Sequence, residues 1–165
     1  MKKYIPIIVI VLLIFSFSFN ISFIVNDIKA KPNKDEVNIE YQAFVSDIYG
    51  TFEGLDQFLN NSDPNTKILA YQSSLYRSHE MYLNANELDS KSIMLYNKGF
   101  GTLIQFSHSI NRNLYAMFID YINGENIDSQ VEDTRNKLEA LAKKLEDTTI
   151  EDQQSVDEIY KIINQ

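Results

Sequence analysis

Residues 4–26 carry no charge, and Lys2 and Lys3 stand directly before them. The run Ile5–Pro6–Ile7–Ile8–Val9–Ile10–Val11–Leu12–Leu13–Ile14–Phe15 is almost wholly aliphatic, and Phe17, Phe19, Ile21, Phe23, Ile24 and Val25 extend it. A helix needs about 20 mainly apolar residues to cross the hydrocarbon core of a bilayer. Residues 1–26 therefore read as a transmembrane anchor or uncleaved signal segment, with the membrane as partner through residues 4–26. The paired lysines stay on the cytoplasmic side, which puts the rest of the chain outside the cytoplasm as a single-pass protein of the cell membrane. The alternative is a signal peptide with Lys2–Lys3 as its basic start and Ile5–Phe15 as its apolar centre. Cleavage near Ala30 would then secrete the domain. Ile28 stands where a small residue is usual, and Asp27 and Lys29 put charges close to that cut.

Residues 27–37 form a polar spacer around Pro32, and residues 38–165 are long enough for one domain with its own core. Lys2 and Lys3 are the only charges in the first 26 residues. The rest of the chain thus keeps 13 of the 15 basic residues and all 23 acidic ones, a net charge of −10. That charge repels phosphate backbones, so no nucleic-acid partner is expected. It also repels an anionic lipid surface, leaving the apolar segment as the only membrane attachment. The absence of cysteine excludes disulfides and thiolate chemistry, so the exported domain must be held by its core. Ile, Asn, Lys and Tyr are frequent while arginine occurs only at positions 77, 112 and 135, a bias that suggests an AT-rich bacterial genome.

The pattern from residue 38 onward is helical. Tyr41, Phe44, Ile48, Phe52, Leu55 and Leu59 recur at three- and four-residue intervals, the apolar stripe of an amphipathic helix. Asp63–Pro64 reads as an N-cap and a first-turn proline. Ile68, Tyr71, Leu75, His79 and Tyr82 mark a second stripe, with a turn expected at Glu87–Leu88–Asp89–Ser90. Ile93, Tyr96, Phe100, Leu103, Ser107, Ile110, Leu114, Met117 and Tyr121 mark a third, in which Gly99 and Gly101 read as a kink or a close helix approach. Asn123–Gly124 is a turn. Ser129 with Glu132, and Ser155 with Glu158, have capping-box spacing. The spacing predicts helices near 38–60, 64–87, 91–122, 128–146 and 151–163. The fold class is all-α: an N-terminal transmembrane helix or signal segment, then an up-and-down antiparallel bundle of four to five helices. Phe44, Ile48, Phe52, Leu55, Ile68, Leu75, Phe100, Leu103, Ile110, Leu114, Leu138 and Leu141 are the expected core.

No catalytic, cofactor-binding or metal-binding residue emerges from this pattern. His79 and His108 are the only histidines. With a turn at Asp89 they would stand about 13 Å apart along a hairpin, too far to share an ion. His79 falls on the apolar stripe and reads as a core histidine. No nucleophile elbow occurs, and Gly99 and Gly101 lie inside a helical pattern rather than a phosphate-cradling loop. Tyrosine is the one enrichment of the exported part. Tyr49, Tyr76 and Tyr115 lie off the main stripes and are the candidate contact surface, since exposed tyrosines make good binding anchors. The chain thus reads as a membrane-anchored extracytoplasmic binding or scaffolding module for a protein or peptide, without a cofactor and not an enzyme. The alternative is an exported small-ligand receptor or enzyme with a site between helices, for which His79, His108 and Arg112 would be the polar cluster.

Overall fold

The computed structural model describes residues 32–163, and the apolar run at 4–26 lies outside them. The chain divides into two units, Met1–Pro32 and Asn33–Gln165. The second is five helices in a bundle-like packing: α1 (Lys34–Asn60), α2 (Pro64–Tyr96), α3 (Gly101–Ile122), α4 (Asp128–Leu145) and α5 (Gln153–Ile163). Among the described residues there is no strand, and no helix is long and apolar enough to cross a membrane.

The helix starts follow from short polar side chains that satisfy the first free N–H groups. Asn33 Oδ1 accepts from the Glu36 amide at 3.0 Å, so α1 begins at Lys34 and absorbs the end of the expected spacer. Asp63 Oδ2 accepts from the Thr66 amide at 2.8 Å with Pro64 in the first turn, the start that Asp63–Pro64 predicts. The other two caps depart from expectation. Ser129 and Glu132 form no capping box, because α4 already starts at Asp128, whose amide donates to Asn126 Oδ1 at 2.9 Å. Ahead of α5 the box lies three residues upstream of Ser155–Glu158. Asp152 Oδ1 accepts from the Ser155 amide at 2.9 Å, and Ser155 Oγ accepts from the Asp152 amide at 3.0 Å.

The expected turn at Glu87–Ser90 does not form, and α2 runs straight through to Tyr96. Residues 65–96 contain neither glycine nor proline, and the polar side chains there are used without breaking the helix. Lys91 reaches Glu40 on α1 at 2.5 Å, and Asp89 Oδ1 accepts from the Phe100 amide. The true break follows Asn97, which takes the left-handed conformation at φ 53°. Gly99 is therefore a loop residue rather than a kink within a helix. A Cβ on it would stand 2.5 Å from Asp89 Oδ1 and 2.9 Å from Ile93 Cδ1, so the chain folds back tightly only because none is present. Gly101 opens α3.

α1 is the central element. On one side α2 packs antiparallel to it, with Gly54 set so closely on Ala70 and Ser74 that no larger residue fits without a shift. On the other side lies α4, where Arg135 Nη2 meets Asp56 Oδ1 at 3.2 Å. Tyr41 is fully buried. Its hydroxyl bonds Thr148 and donates to the Leu145 carbonyl at 3.3 Å, tying the α4–α5 connection to α1. Burial pushes its pKa up to about 12 despite the Thr148 hydrogen bond. α3 packs on α2 as well, where Tyr71 donates to the Leu114 carbonyl at 2.9 Å and Asn111 to Ser78 Oγ at 2.8 Å. At one end Phe58, Tyr71, Phe118 and Tyr121 form an aromatic cluster with centroids 5.2 to 5.4 Å apart.

Nine of the twelve expected core residues are buried in one cluster: Phe44, Ile48, Leu55, Leu75, Phe100, Leu103, Ile110, Leu114 and Leu138. Phe52 and Leu141 pack half-buried at its edge, and Ile68 is only half-buried. The stripe of α2 is rotated from expectation. Its inner face is Ala70, Tyr71, Ser74, Leu75, Ser78, Met81, Ala85, Leu88 and Ser92. Small residues let α1 approach, and His79, expected in the core, points to solvent.

Candidate functional site

Rotation of α2 brings small residues inside and leaves large apolar ones outside. Leu69 and Tyr76 are 66% and 62% exposed, and Leu83 is also exposed. These three recur every seven residues, so they form one line along the helix. Met94 extends the same face. On α3, Tyr115, Ile119 and Ile122 are exposed at helical spacing. The Tyr71–Leu114 and Tyr71–Phe118 contacts place that half of α3 beside the Leu69 end of α2. Scattered exposed leucines are normal, but a contiguous apolar face is the usual mark of an interaction surface.

Two of the three candidate contact tyrosines belong to this face. Tyr76 lies in the middle of the α2 line, and Tyr115 is 54% exposed on α3. Tyr49 stands apart, half-buried on α1 with its ring 5.5 Å from Phe52. Burial, and then the Glu146 carboxylate beside it, raise its pKa. Leu69, Leu83, Ile119 and Ile122 lie off the buried stripes; the seven-residue recurrence of Leu69, Tyr76 and Leu83 and the helical spacing of Tyr115, Ile119 and Ile122 are the signals that mark them.

His79, His108 and Arg112 form no buried cluster. With α2 unbroken at Asp89, the helices pair in a different register. His108 sits beside Tyr82, centroids 5.6 Å apart, and so only about one turn from His79 rather than 13 Å. Both histidines and Arg112 are exposed, so they are not the buried polar group that a small-ligand site would need. Among the described residues no three His, Asp or Glu side chains converge as metal ligands do.

The buried charge is Asp47, 4% exposed on α1. Arg77 Nη1 donates to its Oδ1 at 3.1 Å and Asn84 Nδ2 to its Oδ2 at 2.7 Å. Burial raises its pKa against those two hydrogen bonds and the Arg77 charge, and Glu80 adds a smaller push upward. Both oxygens are occupied from α2. The group ties α1 to α2.

α3 and α4 approach each other only lightly, and a cleft of about 450 Å³ opens between them. Phe106, Ile110 and Met117 give it an apolar floor. On its polar rim Lys137 bonds Asp133 at 2.6 Å and Thr134 donates to the Gln130 carbonyl at 2.9 Å. Nothing there combines a nucleophile with a base or an oxyanion donor.

The chain matches no protein-family model, and comparison with curated proteins and with solved structures finds no match.

Proposed function

We propose that this protein is a membrane-anchored, extracytoplasmic helical module that binds or scaffolds another protein chain through the outer face of α2 and α3. The observation that carries the reading is the exposed apolar face of Leu69, Tyr76, Leu83, Tyr115, Ile119 and Ile122. Large tyrosines among aliphatic residues suit an interface centre, since they bury much area at low entropic cost. Anchoring rests on the uncharged run behind Lys2 and Lys3. On this reading the bundle is an up-and-down arrangement in which successive helices reverse direction, and among the described residues no other helix covers the outer face of α2.

The test uses a photo-crosslinking amino acid in place of Tyr76 or Tyr115 in the intact cell. Protein adducts at both positions, absent when the probe replaces exposed Lys144, are the expected result. Absence of protein adducts at both outer-face positions would remove the reading. A second reading, a small-ligand receptor, has the α3–α4 cleft in its favour. It requires ligand-dependent protection of Phe106 or Met117 rather than of Tyr76.

A further inference from the structure

We infer that the outer face of α2 is the dimerisation seam for a second copy of this chain, packed antiparallel with Tyr76 on the two-fold axis. This rests on the binding reading above and names its partner. The first argument is charge. α1 sets Lys34 against Asp35, Glu36, Glu40, Asp47, Glu53 and Asp56, and the α4–α5 connection adds Glu146, Asp147, Glu151 and Asp152. α2 instead balances Lys67, Arg77 and Lys91 against Glu80, Glu87 and Asp89, and α3 balances Arg112 against Asp120. Two copies of so acidic a molecule repel each other through α1 and the α4–α5 connection. α4 is balanced as well, but of the balanced helices only α2 and α3 present large exposed apolar side chains, so the α2–α3 side is where two copies can meet without that penalty.

The second argument is self-complementarity. A two-fold interface brings one patch against itself. Leu69–Tyr76–Leu83 is symmetric about Tyr76, so antiparallel pairing places Leu69 against Leu83 of the second copy and Tyr76 against its equivalent. In the same register Glu80 falls opposite Gln72, and Glu87 opposite Asn65. No acid faces an acid. Parallel pairing would instead set Glu80 against Glu80 and Glu87 against Glu87, like charges that destabilise.

Area gives a third check. α2 is about 50 Å long at 1.5 Å per residue and presents a strip about 10 Å wide, roughly 500 Å². A stable dimer buries about 800 Å² per partner. α2 alone falls short, and the exposed apolar Tyr115, Ile119 and Ile122 on the adjoining half of α3 offer further area.

The chain has no cysteine, so single cysteines report contacts cleanly. The full chain carrying Tyr76→Cys, oxidised mildly in intact cells, should form a disulfide dimer at least tenfold more readily than Lys144→Cys. That bond requires Cα atoms within about 7 Å. Co-expressed Leu69→Cys and Leu83→Cys chains should crosslink with each other, and Leu69→Cys with itself should not. Adding Leu69→Glu and Leu83→Glu to the Tyr76→Cys chain should abolish the dimer while helix content by circular dichroism is unchanged. Equal crosslinking of Lys144→Cys, or a Leu69→Cys self-dimer, overturns the seam. So does a photoprobe at Tyr76 that marks only a different protein, though the binding reading then survives. Adducts to lipid alone, or none at Tyr76 or Tyr115, overturn both.

Discussion

Asp47 is the residue with the most to say about stability. Its carboxyl pKa is raised, mainly by burial, above the ordinary value of 3.8. The folded state therefore binds this proton more tightly than the unfolded chain. By linkage the stabilisation is full below the unfolded pKa and is lost as pH rises through the higher folded pKa. Between about pH 4 and neutrality Asp47 should thus make the fold less stable with rising pH, opposite to an ordinary paired surface carboxylate. Asp47→Asn removes the titration. Arg77 can still donate to the amide oxygen, and Asn84 can rotate its amide to accept. The expected result is a urea midpoint at pH 7 that is equal or higher in the variant, with the two proteins converging toward pH 4. A lower midpoint at pH 7 would mean that the Arg77 charge outweighs burial. Sequence alone showed an acidic residue next to a core isoleucine. It could not show that Arg77 and Asn84, thirty and thirty-seven positions away, had closed over it.

At the level of elements, the α1–α2 seam decides how closely the bundle packs, and glycine position matters more than glycine count. Gly54 touches the second helix: a Cβ there would stand 3.0 Å from the Ala70 carbonyl and closer still to Ser74 Oγ. Alanine gains about 1 kcal/mol of helix propensity over glycine. Overpacking a tight contact costs about 1–3 kcal/mol, and a backbone carbonyl cannot move aside as a side chain can. Gly54→Ala should therefore destabilise by about 1 kcal/mol net, and Gly54→Val by more. Gly101 has open space around its missing Cβ, so Gly101→Ala should be neutral or stabilise by up to about 1 kcal/mol. Opposite signs for these two substitutions in thermal unfolding would support the seam as described; equal signs would contradict it. The same seam explains what was legible beforehand. The large-residue stripes of α1 and of α3 from Leu103 were read correctly because their buried faces are aliphatic and aromatic. α2 was misread because its buried face is built largely of Ala and Ser, which a search for large apolar residues passes over. That error moved the turn to Glu87–Ser90 and put His79 inside.

Across the whole molecule the charge is uneven, and this bears on where the domain works. The acid lies on α1 and the α4–α5 connection, while the uncharged run behind Lys2 and Lys3 is the proposed export signal. On that proposal the domain should face outward whether or not the run is cut. The α1–α2 and α3–α4 connections supply the means of testing it. Ser62–Asp63 and Asn123–Asn126 are exposed and lie between helices, where backbone can enter a protease without unfolding a core element. Protease added to intact, wall-free cells should cleave the chain at one or both places, leaving fragments that end between α1 and α2 or between α3 and α4. Protection until lysis would place the domain in the cytoplasm and reverse the topology. The same sample gives the fate of the leading segment by mass: a chain beginning at Lys31 has been cut near Ala30 and released, and one beginning at Met1 or Lys2 remains held.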